Sequence, residues 1–238
     1  MELYSKQTVI EKKPAPRVVV RRAKAARKWT PLRILVHLGA WVPLSLLIWD
    51  YFAGNLTVNP IQDLVQRSGK YALFLLVLSL ACTPLNTAFG LRQALTVRRA
   101  LGVYAFLYAF LHFMLFIGLD YGFAWDLIYE AIFEKPFVVV GLITLTILTT
   151  LAATSFQWWM KRLGKNWKRL HRLVYVAGVL VIVHFAWASK GDLLRLQGDI
   201  LEPFYYGLAV ALLLIARIPV VRQAVIRLRT SLQARMTG

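Results

Sequence analysis

Apolar residues in this chain gather in six long runs, over residues 32–50, 70–89, 101–119, 137–156, 171–189 and 203–221. A helix crosses the hydrocarbon of a bilayer with about 20 mostly apolar residues. Each run therefore predicts one span. Together they predict an all-α polytopic membrane protein, a six-helix transmembrane bundle. The fourth run, VVVGLITLTILTTLAA, is the clearest, and the first contains LVHLGAWVPLSLLIW. Polar residues collect between the runs and at both ends. This divides the chain into a basic tail (1–28), a six-span domain (29–222) and a second basic tail (223–238). No internal repeat is visible along the sequence, so an inverted-repeat transporter gains no support.

Composition agrees with this picture and charge orients it. Hydrophobic residues make up 58% and charged residues 17%, with mean hydropathy +0.57. That balance excludes a disordered chain and, despite a net charge of +18, a soluble nucleic-acid binder. With the N-terminus placed in the cytoplasm, 24 of the 29 Lys and Arg fall inside, and 9 of the 11 Asp and Glu fall outside or at outer helix ends. Basic loops resist translocation, so this split predicts both termini on the cytoplasmic side of the membrane. The first tail then sits near anionic lipid headgroups rather than acting as a cleaved signal. NPIQDLVQRSG (59–69) and AWDLIYEAIFEKP (124–136) fall outside. The second sets Trp125, Ile128 and Ile132 near helical spacing, the pattern of a helix lying along the membrane surface.

The chemistry lies in four histidines: His37, His112, His171 and His184. All fall within or at the edge of a run, where ionisable side chains are costly and usually functional. The plainer reading of any single one is a neutral ring hydrogen-bonded across helices. His184 lies roughly 20 Å further along its helix than His171, at about 1.5 Å per residue. That puts His171 near the cytoplasmic face and His184 in the outer half, at the depth of His112. Two histidines at one depth on two parallel helices can supply both axial ligands of a haem b. His171 and His184 are separated by about 220° of ideal helix turn, so they suit two sites or a distortion near Gly178. His37 is at comparable inner depth and is a candidate partner for His171, with an interfacial histidine as the equal alternative. The single cysteine, Cys82, excludes a disulfide framework and Cys-ligated zinc or iron–sulfur sites.

The strings RRALGVYAFLYAFLHF (98–113), EKPFVVVGLITLTILTTLAATS (134–155) and RLGKNWKRLHRLVYVAGVLVIVHFAW (162–187) resemble the ferric-reductase-like transmembrane family, and more closely the MsrQ (YedZ) family within it. HLGAWVP and GKYALFLLVLSLACTPL extend the likeness over roughly residues 30–220. The resemblance implies a six-helix bundle of ferric-reductase-like type and a non-catalytic electron-transfer subunit. It implies haem b on His112, His171 and His184, one or two haems in all, and an association with FMN. It implies electrons taken from the quinone pool or a cytoplasmic flavin reductase. They would pass to a periplasmic molybdopterin-containing methionine sulfoxide reductase that repairs oxidised proteins.

The chain departs from the wider ferric-reductase pattern at one place. One helical repeat before His112 it carries Arg98 and Arg99 instead of a second histidine. No Gly-rich nucleotide fingerprint follows the sixth run, so a self-contained NADPH oxidase is not expected. The basic loop with Lys161, Arg162, Lys165, Lys168 and Arg169 suits a phosphate or propionate, or simply anchors the inner face. Cys82 reads as a small buried hydrophobe, and Pro84 as the end or a kink of the second helix. The alternatives to a haem carrier are another ferric-reductase-like cytochrome b, a transporter, or a membrane anchor. The transporter is disfavoured because no acid lies deep in a run.

Overall fold

The computed structural model describes residues 30–189 and 201–237. The first tail (1–28) and the loop before the sixth run lie outside the described residues. Every regular element among the described residues is helical. Large apolar side chains such as Phe74, Leu107, Phe110, Ile143 and Val179 face outward. Such a surface requires lipid around it, and the chain is a multi-pass membrane protein.

The first run forms two helices, α1 (Pro31–Gly39) and α2 (Val42–Phe52). Pro43 has no N–H to continue the ladder from α1. One residue on, the Tyr108 hydroxyl enters the ladder itself. It accepts from Leu44 N at 3.0 Å and donates to Ala40 O at 2.7 Å, the pair that would otherwise bond directly. At the other end of α2, Arg67 bridges Asp50 and Asp63. This end carries most of the acids and is called here the acidic end; the opposite end is the basic end.

Helix α3 (Pro60–Phe89) starts on Asn59, whose side chain accepts from Gln62 N, and stops at Gly90 in the left-handed conformation. Pro84 does not end it, contrary to one of the two expectations. Pro84 cannot donate to the Leu80 carbonyl, and Arg217 Nη2 donates to that oxygen instead. Helix α4 (Arg92–Leu115) returns along α3 and runs into a π turn over Phe116–Asp120. Helix α5 (Trp125–Glu134) buries Ile128 and Ala131 and leaves Trp125, Tyr129 and Phe133 exposed. Helix α6 (Pro136–Ala153) is followed by two short helices, α7 (Gln157–Leu163) and α8 (Lys165–Leu170), and then by α9 (Leu173–Ala188), which packs along α6. The chain turns at His171 and Arg172, and α9 runs unbroken through Gly178. Leu76, Leu80, Leu101, Ala105, Leu148 and Ala177 form the centre of the core.

The sixth run differs most from its prediction. Helix α10 spans Leu201–Ile215 and α11 spans Pro219–Thr237, with an 80° bend between them. Pro219 disfavours helical geometry at Ile218, and Arg217 turns inward to α3. Among the described residues five helical stretches are thus long and apolar enough to cross a membrane, and there are six if the bent pair is one span. The predicted second tail is part of α11, whose Arg229 donates to the carbonyls of Asn86 and Thr87 at the end of α3.

A repeat invisible in the sequence emerges here. The hairpin α3–α4 and the pair α6–α9 use matching registers. The offset that carries His112 to His184 also carries Val65 to Phe137, Gly69 to Gly141 and Arg99 to His171. The two units run in parallel, which is not the inverted arrangement of a transporter repeat.

Candidate functional site

His112 projects from the last turn of α4 and is backed by α3. His184 projects from α9 and is backed by α6. Their ring centroids lie 6.1 Å apart with an interplanar angle of 83°. His112 Nδ1 is 2.7 Å from the Val65 carbonyl, and His184 Nδ1 is 2.7 Å from the Phe137 carbonyl. A carbonyl only accepts, so each Nδ1 carries the proton and each Nε2 is left as the bare nitrogen. That is the tautomer of a metal-ligating histidine whose outer nitrogen is held. Metal–nitrogen bonds of about 2 Å would set two imidazole centres on one metal about 6 Å apart, so the pair fits axial ligation of one iron. The sequence anticipated this pairing through matched depth, and the structure brings the two rings together.

His171 lies elsewhere, towards the basic end, at the junction of α8 and α9. Its ring stacks on Trp167, centroids 4.0 Å apart, and its Nδ1 is 3.2 Å from the Trp167 carbonyl. Its Nε2 is buried without a partner. The ring lines a cavity with Arg98, Arg99, Trp167, Tyr175 and Arg217. An orphaned buried ring nitrogen fits a ligand role, but no second histidine lines this cavity. Arg99 holds the repeat position that matches His171, and its guanidinium reaches Met160 Sδ at 3.9 Å.

His37 is not among the residues lining that cavity. Its Nδ1 is 2.9 Å from the Tyr104 hydroxyl, and the two rings meet edge to face. His37, in the sequence a candidate partner for His171 or an interfacial histidine, thus fastens α1 to α4. Cys82 is buried with its thiol donating to Leu78 O, as a small core residue would be. Among the described residues no three His, Cys, Asp or Glu gather into a metal-binding cluster. Sequence reasoning missed Val65, Gly69, Phe137 and Gly141, whose parts are played by a backbone carbonyl or a missing side chain. The one available signal was a glycine inside each of two apolar helices.

The family model for the ferric reductase like transmembrane component matches residues 68–182, which include His112, His171, Gly69 and Gly141. The chain is 37% identical over 198 residues to the protein-methionine-sulfoxide reductase heme-binding subunit MsrQ of Xanthomonas axonopodis pv. citri, covering 81% of this chain and 88% of that one. It is 35% identical over 189 residues to the MsrQ subunit of Bordetella pertussis, covering 79% and 89%. A third relative, from Xanthomonas campestris pv. campestris, is 38% identical over 185 residues, covering 75% and 82%. The chain belongs to the MsrQ family. Its match to these MsrQ proteins spans most of their length, so the six-helix bundle described above accounts for the bulk of an MsrQ subunit.

Proposed function

We propose that this chain is a membrane haem b subunit that carries electrons from the cytoplasmic side to a separate periplasmic methionine sulfoxide reductase. The observation that carries the reading is the pair His112 and His184, 6.1 Å apart, each with its outer nitrogen on a backbone carbonyl. These two side chains would hold the iron of a bound haem. One-electron iron chemistry is what the haem supplies when bound. An iron held by both histidines would leave no place for substrate, so the site would suit outer-sphere electron transfer and not sulfoxide reduction. His171, with Arg98, Arg99 and Arg217 around it, is the place for a second haem nearer the basic end. The guanidinium groups there suit propionates.

The physiological donor on this reading is the quinone pool or a cytoplasmic flavin reductase, and FMN enters through the family resemblance alone. The acceptor is a periplasmic molybdopterin-containing subunit. There methionine sulfoxide takes up two electrons and two protons and leaves as methionine and water. The test is a reduced-minus-oxidised spectrum of detergent-purified protein with haem and flavin quantified. Low-spin haem b is expected. His112→Ala and His184→Ala should each lose a haem or leave five-coordinate iron. Unchanged haem content and spectrum in both variants would overturn the assignment.

A further inference from the structure

The two histidines do not hold their own rings in place. Each ring lies against a neighbouring helix at a glycine. A Cβ at Gly69 would stand 3.1 Å from His112 Nδ1 and 3.2 Å from its Cε1. A Cβ at Gly141 would stand 2.8 Å from His184 Cε1 and 2.9 Å from its Nδ1. Both glycines sit in helix interiors, where glycine is about 1 kcal/mol less favourable than alanine. Neither has a positive φ to justify it. What each position supplies is the space left by a missing side chain.

That space has a chemical use. In an α-helix the carbonyl of residue i faces the N–H of residue i+4. Val65 stands one such step before Gly69, and Phe137 one step before Gly141. Without a Cβ above it, the carbonyl's second lone pair is open to a donor from outside the helix. Both histidines use it, each bonded to a carbonyl 47 residues earlier in the chain. The two supports are not identical. The Val65 carbonyl also accepts the buried Ser68 hydroxyl at 2.8 Å, which divides its acceptor strength.

We propose that Gly69 and Gly141 are positioning residues: each opens the Val65 or Phe137 carbonyl to a histidine Nδ1–H, and so fixes which nitrogen, and which ring plane, that histidine presents to the iron. The inference rests on the ligand assignment above. A hydrogen bond from Nδ1–H raises the basicity of the ligating nitrogen. This favours ferric iron, so the cradle holds the reduction potential down.

The test is Gly69→Ala and Gly141→Ala in the full chain, read by low-temperature EPR of the ferric protein, haem content and redox titration. Alanine is the better helix former, so the helices themselves are not weakened. Each variant should shift the low-spin g values and raise the midpoint potential, or convert the iron to a high-spin, five-coordinate form. Gly39→Ala, with nothing within 4 Å of its added carbon, should match the wild type. Wild-type spectra and potential in both glycine variants would overturn the inference. If His112→Ala and His184→Ala also changed nothing, the ligand assignment itself would fall; if they lost haem, only the cradle would. A glycine variant isolated without haem is combined with His112→Gly or His184→Gly and given free imidazole. Return of the low-spin spectrum places the fault at the ring and supports the cradle. Continued absence, where the histidine variant alone is rescued, places it in the fold and overturns the proposal.

Discussion

Single side chains in this protein repair the backbone as much as they line its site. Arg217 is the clearest case. Its guanidinium donates to Leu80 O, the carbonyl that Pro84 strands, and to the Tyr175 hydroxyl at 2.8 Å, while stacking over the Tyr175 ring. A planar fork meets two acceptors that a single ammonium cannot reach together. Arg217→Met should therefore cost about 1–3 kcal/mol, the penalty for a buried polar group left unmade. The expected result is a lower thermal midpoint in detergent, with Arg217→Lys recovering only part of the loss. A wild-type midpoint for Arg217→Met would refute this role. Tyr108 does similar work at the break between α1 and α2. Both residues look ordinary in the sequence because their partners are backbone groups many residues away.

At the scale of elements, much of the architecture was legible and the reasons are physical. Continuous apolar runs of span length can only be helices in lipid, so five of the six runs fall on helical stretches, though α3 starts at Pro60, inside the segment expected as an outer loop, α4 starts at Arg92, and the first run is broken in two. The matched depth of His112 and His184 followed from helix rise alone. Three features were hidden. The sixth run looked continuous because Ile218, Pro219 and Val220 are all apolar, yet the proline turns the chain by 80°. The repeat of α3–α4 in α6–α9 was masked because it is kept at a few positions, such as Gly69 and Gly141, and broken at Arg99 and His171. His37 was placed by depth, which gives no rotation about the helix axis; its ring in fact meets Tyr104. His37→Phe should accordingly keep full haem content and an unchanged spectrum. Loss of one haem in that variant would return His37 to the ligand set.

The whole molecule is polarised, with arginines and lysines at one end and most acids at the other. Basic groups resist translocation, which on the proposed reading puts the basic end in the cytoplasm and His112 and His184 in the outer half of the membrane. Reporter fusions at the C-terminus should read cytoplasmic, and a periplasmic readout would invert the electron path. The acidic end offers Asp120, Asp126, Glu130 and Glu134 close together in the chain, a surface able to orient a basic face on a periplasmic partner. Among the described residues nothing at that end encloses a substrate. The described outer segments are one short helix, α5, and brief turns, and the chain has a single, buried cysteine. Sulfoxide reduction needs either an open metal site or thiol chemistry, and an iron held by both His112 and His184, as proposed above, would have no open position. Delivery and reduction should therefore separate in experiment. In proteoliposomes, dithionite-reduced protein should stay reduced when methionine sulfoxide is added alone. It should reoxidise when the periplasmic catalytic subunit is supplied with it, and the rate should fall as salt screens the acidic face. Rapid reoxidation by methionine sulfoxide without that subunit would mean that the chain performs the reduction itself.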